Sequence, residues 1–171
     1  MFKSFKKLNN NPKIKGLIGE RKVNQILNKF NYKYHNIKLK TPKKTQIDHI
    51  LITNDAIFVI ETKNYQGFVF ESNDKKNFIV LNNNKRTIYN SPIIQNDYHI
   101  KNLSHHLSKY KNYLKSLIVF MDSANIKSIE YENVINYRSL YKYIKTYQTK
   151  NKPITDNEII EINTIITNLN K

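Results

Sequence analysis

Two apolar runs of the sequence, residues 46–52 and 57–65, carry charged side chains where a buried strand is normally apolar. Their β-branched content and the short turn between them predict a β-hairpin. Asp48 lies on the first strand, and Glu61 and Lys63 lie on the second. Because side chains alternate across a strand, Glu61 and Lys63 share one face, and we expect them to face Asp48.

This set of side chains suits the hydrolysis of phosphodiester bonds. Asp48 and Glu61 offer the hard oxygen ligands that Mg²⁺ and Mn²⁺ prefer. Lys63 offers a cation that can position water or stabilise phosphate charge. The alternative is a buried Asp48–Lys63–Glu61 ion-pair network that performs no chemistry.

A third carboxylate is expected to approach the same place from a helix. Residues 16–30 have apolar side chains at the spacing of one helical face, namely Val23, Ile26, Leu27 and Phe30. Glu20 falls on that inward stripe, where a carboxylate is unusual, so we expect it near Asp48 and Glu61. The alternative is a helix-start glutamate that satisfies free N–H groups and the helix dipole.

The remaining elements alternate between strands and helices. Strands are predicted over residues 32–40, 46–53, 56–64, 67–71, 78–81, 117–121 and 134–135. Further helices are predicted from about residue 93 to 113, over 138–148, and after residue 155. Ser91-Pro92 marks the start of the first of these, and Thr155 and Glu158 form a capping box for the last. We expect one α/β domain.

The charge balance favours a polyanionic partner. The 171 residues include 29 Lys and Arg against 13 Asp and Glu, which gives a formal net charge of +16 and favours nucleic acid or an anionic surface. The alternative is a mutational bias, since Lys, Asn, Ile and Tyr all have A/T-rich codons. The apolar runs are far shorter than the roughly 20 residues of a membrane helix, so no membrane span is expected. With 0 cysteines, disulfides and thiolate metal sites are excluded and the cytoplasm is the expected location.

One segment combines basic and aromatic side chains, Tyr141, Lys142, Tyr143 and Lys145. Such a segment can stack bases and neutralise phosphates, so these four residues are predicted nucleic-acid contacts. The alternative is that the tyrosines pack against the protein itself.

Four ordered motifs connect the candidate residues. They are Gly16-x-x-Gly19-Glu20, Gln46-Ile47-Asp48-His49, Ile57-Phe58-Val59-Ile60-Glu61-Thr62-Lys63-Asn64-Tyr65-x-Gly67, and Asn90-Ser91-Pro92-x-x-Gln95-x-x-x-His99. In order and spacing this set resembles the nuclease-related domain (NERD), which is placed in the PD-(D/E)XK nuclease superfamily. The resemblance covers about residues 16–121. Two departures are Ser91, which interrupts the usual Asn-Pro pair, and Tyr65, which stands where many members carry Trp.

The resemblance implies an α/β fold with a restriction-endonuclease-like core. A central mixed β-sheet would be flanked by helices in α-β-β-β-α-β order, and the helix predicted after residue 155 would add a C-terminal helical extension. We expect a basic N-terminal segment (1–15), the nuclease-related core (16–121) and an extension (122–171) packed on the same domain; the resemblance itself implies no role for the extension.

The resemblance also implies roles for site residues. Asp48, Glu61 and Lys63 match the superfamily's catalytic triplet, Glu20 matches the acidic residue of the first helix, and Gln95 matches the glutamine of the later helix. Gln95 would orient a ligand carboxylate or contact the substrate backbone.

A divalent cation, Mg²⁺ or Mn²⁺, is the implied cofactor. Asp48, Glu61 and the backbone carbonyl of Thr62 would hold it, and Glu20 would hold a second ion or a bridging water. His49 and His99 are possible proton carriers, with a purely structural role as the alternative.

The expected function is therefore a metal-dependent nuclease, with nucleic acid as partner and DNA favoured over RNA. The alternative is a non-catalytic module that keeps the nuclease fold and binds nucleic acid without cutting it.

Overall fold

A five-stranded mixed sheet forms the centre of the protein. The computed structural model describes residues 11–129 and 131–169, so most of the predicted basic segment 1–15 lies outside the described residues. The strands are β1 (Tyr32–Leu39), β2 (Thr45–Ile52), β3 (Ile57–Lys63), β7 (Leu114–Phe120) and β9 (Val134–Asn136), in the order β1-β2-β3-β7-β9. The first three pair antiparallel, whereas β7 runs parallel to β3 and β9 runs parallel to β7. Strand β3 therefore lies in the middle of the sheet, paired on both sides.

A second, four-stranded sheet stands beside the first. It contains β4 (Gly67–Glu71), β5 (Asn77–Asn82), β6 (Lys85–Asn90) and β8 (Ala124–Ile126), in the order β6-β5-β4-β8. The hairpin of β4 and β5 was predicted, whereas β6 and β8 were not. Side chains of β6 are nearly all exposed and β8 has three residues, so neither strand carries a readable apolar alternation.

The helices are α1 (Pro12–Leu27), α2 (Pro92–His106), α3 (Leu140–Thr146) and α4 (Asp156–Leu169). Helix α1 begins four residues earlier than predicted because Asn11 caps it, accepting a hydrogen bond from the Lys13 N–H, and Pro12 supplies the first turn. Helix α2 ends seven residues earlier than predicted, and a 3₁₀ helix (Ser108–Tyr113) follows it. The predicted capping box is present, since the Thr155 N–H donates to Glu158 Oε2 at 2.9 Å.

The helices cover both faces of the central sheet, following the alternation of its side chains. On one face, residues of β1–β3 such as Ile57 and Val59 form a core with α2 and α4. On the other, Phe58 and Ile60 pack with α1 and α3. A third core lies between the second sheet and β7.

This architecture confirms the predicted fold class. The order α1-β1-β2-β3-α2-β7 is the expected α-β-β-β-α-β order, with strands of the second sheet inserted between β3 and α2. The chain ends in helix α4, and no helix within residues 11–129 and 131–169 is long and apolar enough to cross a membrane. The domain boundaries at residues 15 and 121 stay a prediction.

Two glycines give a matched test of the backbone. Gly67 has φ +111°, and a Cβ there would lie 2.2 Å from the Leu81 carbonyl oxygen, so Gly67→Ala should lower the free energy of unfolding by about 1–3 kcal/mol or more. Gly16 lies inside α1, where an added Cβ meets nothing closer than 4.0 Å, so Gly16→Ala should raise it by up to about 1 kcal/mol. Urea denaturation measures the free energy of unfolding of both variants. Equal changes in the two would contradict the positive φ of Gly67 and the helical position of Gly16.

Candidate active site

The candidate site lies at the carboxyl end of β3, beside β2. Cross-strand pairing of β2 and β3 extends to His49 and Ile60. Beyond that pair, Asp48 Oδ2 accepts a hydrogen bond of 2.9 Å from the Thr62 N–H. The side chain of Asp48 therefore takes the place of a backbone acceptor, which fixes its carboxylate next to the end of β3.

Lys63 joins the carboxylate of its own strand to helix α2. Its Nζ donates to Glu61 Oε1 at 2.7 Å and to Gln95 Oε1 at 2.9 Å. The Glu61 side chain is 3% exposed and that of Lys63 is 17% exposed. These charge-assisted bonds hold the ammonium in one place, and part of the Lys63 side chain stays open to solvent.

His99 approaches the same carboxylate from the next turn of α2. Its Nε2 lies 3.3 Å from Glu61 Oε2, and its Nδ1 lies 2.7 Å from Thr45 Oγ1. Gln95 and His99 share a helical face, as their spacing of four residues indicates. The helix therefore contacts both ends of the Glu61–Lys63 pair.

His49, the other candidate histidine, lies elsewhere. It is buried on β2, next in sequence to Asp48, and therefore points to the opposite face of the strand. Its Nδ1 is 3.3 Å from His35 Nδ1. Burial, together with His35, lowers the pKa of His49 to about 3, so its ring is neutral at physiological pH.

Glu20 reaches the site from α1. Its pKa is raised by burial and by the charge of Glu61, against a smaller opposing effect of Lys63. Gly19 allows this approach, because a Cβ at that position would lie 3.2 Å from Asn64 Cβ and 3.3 Å from Thr62 Cγ2.

The carboxylates perturb one another. Burial and the charge of Glu61 are the largest causes that raise the pKa of Asp48 to about 7, and Glu20 adds to them, while the Thr62 N–H and Lys63 act in the opposite direction. A cluster of this kind favours any added positive charge, whether a proton or a cation.

A cleft of about 520 Å³ contains these groups. Its floor is the end of β3, and its walls come from α1 and from the β5–β6 hairpin. Its lining includes Lys15, Glu20, Asp48, Glu61, Thr62, Lys63, Tyr65, Asn82, Lys85, Thr87 and Tyr89. Lys85, Thr87 and Tyr89 were missed by sequence reasoning, because β6 was not predicted; positive charge and aromatic content in residues 85–89 were the available signal.

The donor set fits a hard cation with few protein ligands. In the described ranges 11–129 and 131–169, no group of three or more His, Asp or Glu side chains is arranged to hold a metal. Asp48 and Glu61 give two carboxylates that line the cleft, and Glu61 Oε2 is buried without a hydrogen bond. Mg²⁺ typically takes one or two carboxylates and completes its shell with water and phosphate oxygens.

The four predicted nucleic-acid contacts lie on α3, and none of them is among the described residues that line the cleft. The Tyr143 ring packs at 6.3 Å from that of Phe58, while Lys145 Nζ lies 5.7 Å above the Phe30 ring. Tyr141 is 40% exposed. For Tyr143 this geometry favours the packing alternative.

The fold and cleft define the class of nuclease-like α/β proteins, in which a strand pair presents an aspartate and a Glu-x-Lys sequence beside a helix. The sequence profile described as "Nuclease-related domain" matches residues 15–121. The chain belongs to this family, and placement in the PD-(D/E)XK superfamily is consistent with it. An uncharacterized protein of Bacillus anthracis is 31% identical over 146 residues, covering 80% of this chain and 68% of that protein. No solved structure gives a significant match.

The raised pKa of Asp48 predicts how the stability of the metal-free protein depends on pH. In the unfolded chain Asp48 loses its proton near pH 3.9, whereas in the fold it keeps the proton up to about pH 7. The native protein should therefore lose stability relative to Asp48→Asn as pH rises from about 4 to 7, by at most about 1.4 kcal/mol per unit. Urea denaturation of both proteins in chelator measures this difference; parallel profiles would contradict the raised pKa.

Proposed function

We propose that this protein is a metal-dependent nuclease that hydrolyses phosphodiester bonds, with DNA as the expected substrate and Mg²⁺ or Mn²⁺ as cofactor. The observation that carries the proposal is the meeting of Asp48, Glu61 and Lys63 in one cleft, with Lys63 bonded to both Glu61 and Gln95. Family membership supports a nuclease-related function at the coarser level.

Asp48, Glu61 and the Thr62 carbonyl would hold the cation, and Glu20 would hold a second ion or a bridging water. When bound, such a cation stabilises charge on phosphate and lowers the pKa of water. The raised pKa of Asp48 supports this assignment, since a divalent ion would relieve the repulsion between the carboxylates.

Lys63 is the residue that would act on the developing charge. Its side chain is partly exposed, so the ammonium would hydrogen-bond a phosphate oxygen or orient the attacking water, while Glu61 and Gln95 keep it aligned. A cation fixed before the reaction stabilises the transition state without reorganisation. Gln95 does not figure among the described residues that line the cleft, which favours a positioning role for it.

Surface charge supports nucleic acid as the partner. The formal net charge is +16, and Lys15 and Lys85 line the cleft beside the carboxylates. Lys142, Lys145 and Tyr141 remain proposed contacts at a separate surface, whereas the packing of Tyr143 against Phe58 argues against a contact by that ring. DNA rather than RNA and a cytoplasmic location also remain part of the proposal.

The second candidate is a binding module that holds nucleic acid without cutting it. The basic surface serves that function equally well. The acidic cluster argues against it, because two carboxylates in a cleft repel phosphate and hinder a protein that only binds.

Cleavage of plasmid separates the two candidates. Supercoiled plasmid with the protein and Mg²⁺ or Mn²⁺ should be nicked or linearised, and excess chelator should stop the reaction. Lys63→Ala should reduce the rate by about 100-fold or more, because it removes a group that acts on transition-state charge. Its DNA affinity should stay nearly unchanged, and Glu61→Gln should behave similarly.

Lys150→Ala is the matched control, since this exposed lysine lies outside the cleft and its loss removes the same charge. It should cut at the native rate. A native protein that binds DNA but cuts no plasmid, linear duplex, single strand or RNA with either metal would reject the nuclease in favour of the binding module.

Metal binding is expected to appear in thermal stability. Mg²⁺ or Mn²⁺ added to chelator-treated protein should raise Tm, because a ligand specific for the fold adds about 2.7 kcal/mol at one hundred times its Kd. Asp48→Ala should lose the shift, while Asp97→Ala, which removes an exposed carboxylate of α2, should keep it. Equal shifts in all three proteins would exclude Asp48 as a ligand.

A further inference from the structure

The β5–β6 hairpin forms a wall of the cleft with a defined inner face. Asn83 and Asn84 at its tip have φ of +46° and +63°, the pattern of a two-residue turn whose twist matches the flanking strands. Side chains then alternate along β6, so that Lys85, Thr87 and Tyr89 line the cleft. The intervening Arg86 and Ile88 line a separate depression on the other side.

Tyr89 is the outermost ring of an aromatic row that runs into the core. Its ring stacks on Tyr65 at 4.4 Å with an interplanar angle of 19°, and Tyr65 packs at 5.7 Å from the ring of Phe120. Phe120 is fully buried, whereas Tyr89 is 39% exposed. Because Tyr65 covers one face of Tyr89, its exposed area belongs to the other face and the ring edge.

A tyrosine held in this way offers a rigid stacking surface. Its neighbours fix the ring before a ligand arrives, so little side-chain entropy remains to be lost on binding. Two further basic groups line the cleft on opposite walls, Lys15 from α1 and Lys85 from β6. An aromatic face in a cleft lined by cations is the combination that binds single-stranded nucleic acids, because bases stack on the ring and phosphates pair with the ammonium groups.

We propose that Tyr89 is a stacking platform for an unpaired nucleobase, which makes single strands, overhangs or frayed ends the preferred substrate class. The inference rests on the proposed function for the nature of the ligand. A base inside an intact duplex has both faces covered by its neighbours, so only an unstacked base can use Tyr89. Lys85 and Lys15 neutralise the phosphates that flank that base.

The test measures binding without cleavage. Full-length Lys63→Ala protein in chelator is titrated with a single-stranded oligonucleotide carrying 2-aminopurine and with a blunt duplex of the same length. Adding Tyr89→Ala should weaken single-strand affinity roughly 5- to 100-fold and leave duplex affinity within about twofold. Tyr89→Phe should retain single-strand affinity and the quenching of 2-aminopurine, since the ring is kept.

Tyr98→Ala is the matched control, because Tyr98 has the same exposed fraction, 39%, on a different surface. Added to the Lys63→Ala protein, it should leave the affinity for single strands unchanged. The proposal is overturned if Tyr89→Ala binds single strands like the parent, loses single strand and duplex equally, or behaves like Tyr89→Phe. No binding of either oligonucleotide also overturns it.

The native protein distinguishes the two proposals. If the native protein uses Tyr89 to bind single strands but cuts no substrate, the stacking proposal stands and the nuclease proposal is rejected. If the native protein cuts and neither binding nor cleavage of single strands depends on Tyr89, only the stacking proposal is rejected.

Discussion

Negative charge concentrated at the carboxyl end of β3 is the constraint on which the site depends. Asp48 and Glu61 lie side by side on neighbouring strands, and Glu20 adds a third carboxylate from α1. Burying such a group is costly unless cations and hydrogen-bond donors compensate. Lys63 and the Thr62 N–H do so in part. The raised pKa of Asp48 indicates that the compensation is incomplete, which favours a metal or a proton at this place.

The fold supplies rigid support for this cluster. Strand β3 pairs with β2 up to Ile60 and with β7 along its whole length, and its apolar side chains are covered on both faces, so Glu61 and Lys63 project from a well-supported strand. Helix α2 then fixes the pair through Gln95 and His99. Groups that act on developing charge are most effective when their positions are fixed before the reaction.

The two sheets contribute different residues to the cleft. The central sheet carries the carboxylates and the lysine, whereas the second sheet contributes a wall with Lys85 and Tyr89. Gly19 brings α1 against the end of the central strand β3, because the absence of a side chain lets the helix approach closely enough for Glu20 to enter the cleft. In the proposed function, chemistry and recognition would therefore be carried by different sheets that meet at one edge of the cleft.

The sequence by itself determined the helices and strands whose apolar residues repeat regularly, and the charged residues that interrupt those repeats. The hairpin carrying Asp48, Glu61 and Lys63, the inward position of Glu20 and the capping box of α4 follow from local alternation and spacing, because a residue's face is set by its neighbours along the chain. Family membership also followed from ordered motifs.

Only the tertiary structure decided which distant residues meet. Gln95 lies 32 residues from Lys63 yet bonds to it at 2.9 Å, and Tyr89 stacks on Tyr65 through the pairing of β4, β5 and β6. Strand β6 is exposed along nearly its whole length, so its sequence has no hydrophobic period from which a strand could be predicted. Such contacts depend on the packing of whole elements, and a period of two or 3.6 residues carries no information about which element will lie opposite.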